Sequence, residues 1–276
     1  ADFVSAAGVF ATGEVFNGNE EYVYGYAPAT GSVLDYPLYF ALHEAFAAQG
    51  DMSALAGRML ALAAAAKRHG ADGVLGAFLD NHDNPRFLCH TAGVQAQDWT
   101  LLKSALAALL LGRHVPIVYY GTEQGLSGCG DPDNREPLFG RHDRAALLYS
   151  FLAALHKARR LAAAHAPFFA TDPVPCPSDQ PARVLALARG PVLLVTSNFG
   201  SDAASHPLTV QLPPQLRGPR TLHDLLARDP AHAPHHVTDD HLPVTIANGQ
   251  PLLLVPEEWL AEDWPTRTED SPTTVV

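Results

Sequence analysis

The first 165 residues alternate short apolar runs with longer runs of helical period. The run V-F-A-T-G-E-V at 9–15 reads as a short buried strand. V-L-D-Y-P-L-Y at 33–39 reads as a weaker one, because Pro37 fits only a strand end or edge. Residues 52–67 predict a helix, with apolar side chains filling one face and Arg58 and Lys67 off it. A third strand follows at 74–79, then a helix at 98–111 with Asp98 as its N-cap ahead of Leu101, Leu102 and Leu106. A fourth strand at 115–120 and a long helix at 143–161 complete this half. Continuous apolar strands alternating with helices imply parallel strands buried on both faces, an α/β pattern.

From about residue 168 the pattern changes to short strands at 183–188, 192–198, 208–212, 244–247 and 252–255, spaced by Gly, Pro, Ser and Asn. This predicts a small antiparallel β-sandwich. Pro167 and the stretch 173–181 are the linker candidates, so the units are 1–166, 167–260 and a polar tail at 261–276 expected to be disordered.

Of the 276 residues 47% are apolar and 17% charged, enough for one large globular domain or two smaller ones. The formal charge of −11 argues against a binder that tracks phosphates, which needs a basic footprint. It suits a soluble enzyme acting on neutral substrates. Three cysteines, Cys89, Cys129 and Cys176, form no C-x-x-C pair, and their odd number leaves at least one thiol free, so no disulfide framework is expected. No apolar run reaches the ~18 residues of a membrane-spanning helix. The sequence opens on Ala1 with no signal peptide, so the expectation is a chain processed or excised from something longer.

Three polar segments fall just after predicted parallel strands, where barrel active sites collect. T-G-E-V-F-N-G places Glu14 there, F-L-D-N-H-D-N-P-R places His82 and Asp83, and the long loop Y-Y-G-T-E-Q-G-L-S-G-C-G-D-P-D-N-R-E-P carries Glu123, Asp131 and Arg135. Two carboxylates converging at one mouth can perform glycosidic chemistry, one protonating the leaving oxygen while the other stabilises or captures the oxocarbenium-like centre. Spacing alone points to Glu14 as acid and Asp83 as nucleophile.

Plainer readings compete at each position. An Asx-type turn accounts for Asn84 and Pro85 but leaves His82 unexplained. Asp131 and Arg135 read equally as a solvated ion pair worth about 0–1 kcal/mol. Glu123 reads as structural, and Arg86 as the partner of a barrel carboxylate. Tyr22, Tyr24 and Tyr26 offer sugar-stacking faces or simply pack. The histidines of the run 232–236 lack the spacing of a structural zinc site.

Taken together, these motifs resemble the later motifs of the α-amylase family, retaining glycoside hydrolases built on a (β/α)8 barrel, and in particular its fungal-type branch. G-E-V-F-N-G resembles the fifth-strand motif, which makes Glu14 the match for the general acid/base. F-L-D-N-H-D-N-P-R resembles the seventh-strand motif. There Asp83 matches the carboxylate that holds substrate hydroxyls and stabilises the transition state, and His82 its hydroxyl-binding neighbour. The resemblance thus replaces the nucleophile role that spacing alone gives Asp83. V-P-I-V-Y-Y-G-T-E-Q resembles the eighth strand and G-D-P-D-N-R-E-P the loop after it, so Asp131 and Arg135 match a sugar clamp at a more distant subsite. Residues 33–40 resemble the short sixth strand.

The departures are equally specific. The family nucleophile lies in a G-x-R-x-D pattern after the fourth strand, and no such segment occurs here; nor does the third-strand D-x-x-x-N-H. A full barrel takes about 250 residues. The resemblance therefore implies the C-terminal half of a TIM barrel, strands five to eight, at 1–166, followed by the family's β-sandwich. The fungal-type disulfide bracketing the sixth strand is absent: Tyr24 stands where its first cysteine is expected. The resemblance implies an α-glucan substrate, hydrolysis of α-1,4-glucosidic bonds with retention, and the N-terminal half of the same barrel as partner. It also implies a calcium site whose ligands belong to that half, with no cofactor ligand set visible in this chain. The family is often secreted. The isolated chain is expected to be inactive; a non-catalytic carbohydrate-binding or regulatory remnant, or a transglycosylase with the same site, are the alternatives.

Overall fold

The computed structural model of the chain describes residues 2–91, 99–165, 168–201, 204–227 and 234–263. Asp98, Pro167, His232 and the tail from 264 lie outside them.

The first part holds helices α1 (Asp2–Ala7), α2 (Glu20–Tyr24), α3 (Ala27–Thr30), α4 (Tyr36–Leu42) and α5 (Met52–Arg68). Strand β1 (Gly76–Ala77), helices α6 (Phe87–Thr91) and α7 (Trp99–Leu111), strand β2 (Val115–Pro116) and helix α8 (Leu147–His165) follow. Parallel pairing runs in chain order: Gly13 bridges Val33, Leu34 bridges Gly76, and β1 pairs with β2. Backbone bonds carry it, with Leu34 N–H donating to Gly13 at 2.9 Å and Ile117 N–H donating to Ala77 at 2.7 Å. The strands are far shorter than the apolar runs predict. At 9–15 only Gly13 bridges, and Val9 and Phe10 are exposed. Between the strands Gly76 leaves room for its neighbours' side chains: a Cβ there would lie 2.8 Å from Ile117 Cδ1 and 3.0 Å from Leu34 Cδ2, so both would have to shift to admit a larger residue.

Residues 33–39 correct the strand reading: beyond Leu34 the chain turns into α4. Asp35 caps this helix by accepting from Leu38 N–H at 3.1 Å, and Pro37 occupies its first turn, where its missing N–H costs nothing. Helix α5 matches its prediction, capped by Asp51 on Ser53 N–H at 2.8 Å and ended by Lys67 and Arg68, which suit the negative end of the helix dipole. Helix α7 is buried almost all round, between α8 and the β region. Helix α8 starts four residues after Asp143, whose carboxylate is engaged with Ala145 N–H at 2.8 Å in the preceding loop.

The remaining strands are β3 (Val174–Cys176), β4 (Val184–Arg189), β5 (Val192–Ser197), β6 (Ser205–Gln211), β7 (Arg220–Asp224), β8 (Pro234–Val237), β9 (His241–Ala247) and β10 (Leu252–Pro256). They form a six-stranded antiparallel sheet, β3-β4-β5-β10-β7-β8, and a two-stranded ribbon, β6-β9. Alternation divides the sheet's side chains: Leu185, Leu187, Leu194 and Leu253 join the helical core, while Ala186, Leu193, Val195 and Leu254 pack with Leu208, Val210, Leu242 and Ile246 of the ribbon. The stretch 173–181, read as a linker, contributes strand β3 instead. Strands β7 and β8 were not foreseen. A final helix, α9 (Glu258–Asp263), runs through the first residues of the predicted tail.

Candidate active site

Three loops leave the carboxyl ends of the parallel segments on the same side: 14–19 after Gly13, 78–86 after β1, and 117–136 after β2. The first two bring Glu14, His82 and Asp83 together, one carboxylate or imidazole atom of each lying within 4.8 Å of the others. All three side chains are exposed to solvent in this chain.

Glu14 is held from below. Tyr36, fully buried at the start of α4, donates its hydroxyl proton to Glu14 Oε1 at 2.8 Å. The same hydroxyl accepts from Asn81 Nδ2 at 2.9 Å and from Asn84 Nδ2 at 3.3 Å. Burial pushes the Tyr36 phenol up to about 12, so it stays a proton donor. Its ring packs edge-on against Phe16 at 4.8 Å and Phe78 at 5.0 Å, and its χ freedom is gone.

The segment N-H-D-N is both a turn and a display. Asn81 Oδ1 accepts from the backbone N–H groups of Asp83 and Asn84, each at 3.0 Å, which makes an Asx turn. The turn leaves His82 and Asp83 at its exposed tip, with Nε2 and Oδ1 3.4 Å apart. Asn81 also reaches Glu14 Oε1 at 3.5 Å, so turn formation and carboxylate placement share one side chain.

The loop after β2 lies against this turn. Arg135 Nε donates to the His82 carbonyl at 3.0 Å, its Nη2 to Asp83 Oδ1 at 3.4 Å, and the same guanidinium faces Asp131 Oδ1 at 3.5 Å. Asn134, buried, donates to the carbonyls of His82 at 2.9 Å and Asn84 at 3.0 Å. Arg86 is fully buried beneath both loops. The sequence suggested a carboxylate partner; among the described residues the guanidinium makes no direct bond to one, although its charge acts on the carboxyl of buried Asp80. It donates to the carbonyls of Asn134 at 2.9 Å and Tyr120 at 2.5 Å and stacks on the Tyr119 ring at 4.0 Å. Asp80, also buried, accepts from Phe87 N–H at 3.1 Å and from Thr122 at 3.4 Å, and burial pushes its carboxyl up.

No disulfide framework was expected, yet Cys89 and Cys129 form one disulfide; Cys176 is the free thiol that the odd count requires, and it is buried. Forty residues separate the pair, and no spacing rule links cysteines so far apart. Tyr24 is buried and donates to Asp35 at 2.7 Å, whereas Tyr22 and Tyr26 are exposed, ring against ring at 5.4 Å, away from the turn. Glu123 lies in the short 3-10 turn Thr122–Gln124. Tyr36, Asn84, Asn134 and Asp80 were not singled out from sequence; of these only Asn84 stood in a quoted motif with a role, that of a turn residue.

Among the described residues the one group of three donors close enough to share an ion is Glu14, His82 and Asp83. A hard cation that takes six to eight oxygens is poorly matched to an imidazole and two exposed carboxylates.

The chain resembles known proteins over most of its length. The family model "Alpha amylase, catalytic domain" matches residues 2–154. An alpha-amylase of Saccharomycopsis fibuligera is 32% identical over 262 residues, covering 95% of this chain and 50% of that protein. Alpha-amylase 1 of Lipomyces kononenkoae is 38% identical over 162 residues, covering 58% and 24%. The solved structure of an alpha-amylase from Malbranchea cinnamomea superposes with a TM-score of 0.82 at 32% identity, over 94% of this chain and 53% of that one. The chain thus spans about half the length of these relatives or less. With its catalytic-domain match extending over more than half of its residues, the chain belongs to the α-amylase family.

Proposed function

We propose that this chain is the C-terminal part of an α-amylase barrel, its fifth to eighth strands, followed by the family's β-sandwich. In this reading the whole enzyme hydrolyses α-1,4-glucosidic bonds of starch-type glucans with retention of configuration. The observation that carries it is the convergence of Glu14, His82 and Asp83 within 4.8 Å beside an arginine clamp.

Glu14 is the general acid: it protonates the glycosidic oxygen as the bond to the leaving sugar breaks, then takes a proton from the water that attacks the glycosyl intermediate. Tyr36 and Asn81 fix the orientation of its carboxylate. Asp83 and His82 grip the hydroxyls of the sugar at the reacting centre, so that their hydrogen bonds strengthen as positive charge develops. Arg135 and Asp131 hold a ring further along the glucan. The nucleophile is supplied by an upstream segment bearing G-x-R-x-D, which belongs to the partner half of the barrel.

Two assays test this. Purified residues 1–276 release no reducing sugar from starch. Joined to an upstream half that contains G-x-R-x-D, the protein hydrolyses starch, and Glu14→Gln abolishes that activity. Robust hydrolysis by the isolated chain overturns the partial-barrel reading. Maltooligosaccharide binding without turnover in the joined protein overturns the enzymatic one.

A further inference from the structure

The loop that carries Asp131 and Arg135 is fastened at two points. At its far end Asn134 bonds the carbonyls of His82 and Asn84 and offers its own carbonyl to Arg86. At its near end the fastener is covalent: Cys129 is joined to Cys89, with Cα atoms 5.1 Å apart. Cys89 belongs to α6, the helix that starts four residues beyond Asp83, and Cys129 stands two residues before Asp131. The bond therefore ties the segment displaying Asp83 to the segment displaying Asp131. Only residues 130–133 lie between the two fasteners, with the Gly130 and Pro132 carbonyls accepting from Asn134 N–H at 3.0 Å and Arg135 N–H at 2.9 Å, and they are folded so tightly that a Cβ on Gly128 would fall 1.8 Å from the Asp133 carbonyl. Asp131 itself is exposed and held by Arg135 alone among the contacts its carboxylate makes here, at 3.5 Å.

We propose that the Cys89–Cys129 disulfide is a positioning device for the sugar clamp: it keeps Asp131 against Arg135, and through it Arg135 against Asp83. The proposal rests on reading these residues as a glucan site. Cys129 is exposed, so a dithiol reductant reaches it. Reduction breaks the sulfur–sulfur bond, adds two electrons and two protons to give two thiols, and leaves the reductant as its own disulfide. The near end of the loop then keeps only hydrogen bonds: Arg86 N–H to the Gly128 carbonyl at 3.0 Å, and Ser127 N–H and Gly128 N–H to the Glu136 carboxylate at 3.1 and 3.2 Å. None of these holds Asp131.

The test is a thermodynamic cycle read by calorimetric titration of the chain with maltoheptaose. Removing one exposed charged contact weakens binding by about fivefold, or roughly 1 kcal/mol. The paired substitution Cys89→Ser with Cys129→Ser is expected to raise Kd by about that factor, and reduction of the unaltered chain to do the same while circular dichroism shows it folded. In an Arg135→Ala background the serine pair is expected to add nothing, because the disulfide acts through that side chain. Equal affinity of oxidised, reduced and serine-pair chains overturns the proposal. So does an additive loss in the Arg135→Ala background, which marks a merely structural bond. An oxidised chain that binds no maltoheptaose removes the glucan-site reading and this proposal with it.

Discussion

Tyr36 donates its hydroxyl proton to Glu14 Oε1 across 2.8 Å, from a ring that is wholly buried to a carboxylate that is exposed. The phenol is the one rigid element among groups that otherwise project from loops. Asn81 and Asn84 converge on the same oxygen, so one hydroxyl sets the positions of the loop at 14–19 and the loop at 78–86 together.

Tyr36→Phe keeps the ring packing against Phe16 and Phe78 and deletes only that hydroxyl. A hydrogen bond to a charged group is worth about 1.5–3 kcal/mol, or roughly tenfold to a hundredfold in rate. In the protein joined to its upstream half, kcat on starch is expected to fall by that factor while the melting temperature moves by a few degrees at most. Unchanged steady-state kinetics would show that Glu14 orients without the phenol.

Arg86 supports both loops at once from a fully buried position. Arg86→Ala leaves the carbonyls of Asn134 and Tyr120 unpaired and opens a void under Tyr119, so a loss of about 3–5 kcal/mol is expected in urea unfolding. Arg86→Lys should restore little, since an ammonium cannot bond two carbonyls and stack in one plane. A lysine variant as stable as the parent would mean that charge alone matters here.

Some of this was readable along the chain and some was not. The helix at Met52–Arg68 shows itself by the apolar face that its 3.6-residue period produces. Strand extent does not, because a ladder depends on a neighbour: the same apolar residues at 9–15 make one bridge where they have one partner. At 33–39 the β-rich residues suggest a strand and Pro37 fits a strand end, but the same proline fits the first turn of a helix capped by Asp35, and that is what forms. Strands β7 and β8 carry His, Arg and Asp, and only their pairing beside β10 makes them strands. Glu14, His82, Asp83 and Arg135 stand out as polar residues following apolar runs. Tyr36 and Asn134 act through partners 22 to 52 positions away, and no local pattern announces that.

Asp224 gives stability a definite pH dependence. It is buried at the end of β7, accepts from Leu253 N–H at 2.9 Å and Leu226 N–H at 3.0 Å, and burial pushes its carboxyl up to about 6. Because the folded value lies above the unfolded one, the native state holds a proton that the unfolded chain releases. This group's contribution is therefore greatest below about pH 4, declines as pH rises towards 6, and is flat above. Asp224→Asn keeps an oxygen for both N–H donors and removes the charge. The variant should be more stable than the parent at pH 7, by about 1–3 kcal/mol, and nearly equal to it at pH 4. Urea unfolding at the two pH values checks this; a variant less stable at pH 7 would show that the ionised carboxylate is net favourable.

The outer parallel segments predict how the isolated chain behaves in solution. Among the described residues no strand lies beyond Gly13 on one side or beyond β2 on the other, and both margins expose large apolar side chains. Val9 and Phe10 are 65% and 68% exposed at one, Val115 and Ile117 48% and 39% at the other. Unpaired N–H and C=O groups beside exposed apolar surface template association with another chain. Sedimentation of the purified chain is expected to show concentration-dependent dimers or larger species. Phe10→Glu combined with Ile117→Lys places a charge on each margin and should shift the protein towards monomer while lowering its unfolding free energy in urea by no more than about 1–2 kcal/mol, since Phe10 is mostly exposed and Ile117 is only partly buried, so that a lysine ammonium there reaches water. Adding an upstream half of the barrel should shift the unaltered chain to a one-to-one complex and fail to do so with the charged variant. A parent chain that sediments as a monomer at every concentration and unfolds in one sharp, concentration-independent step would show that these margins are satisfied within the chain itself.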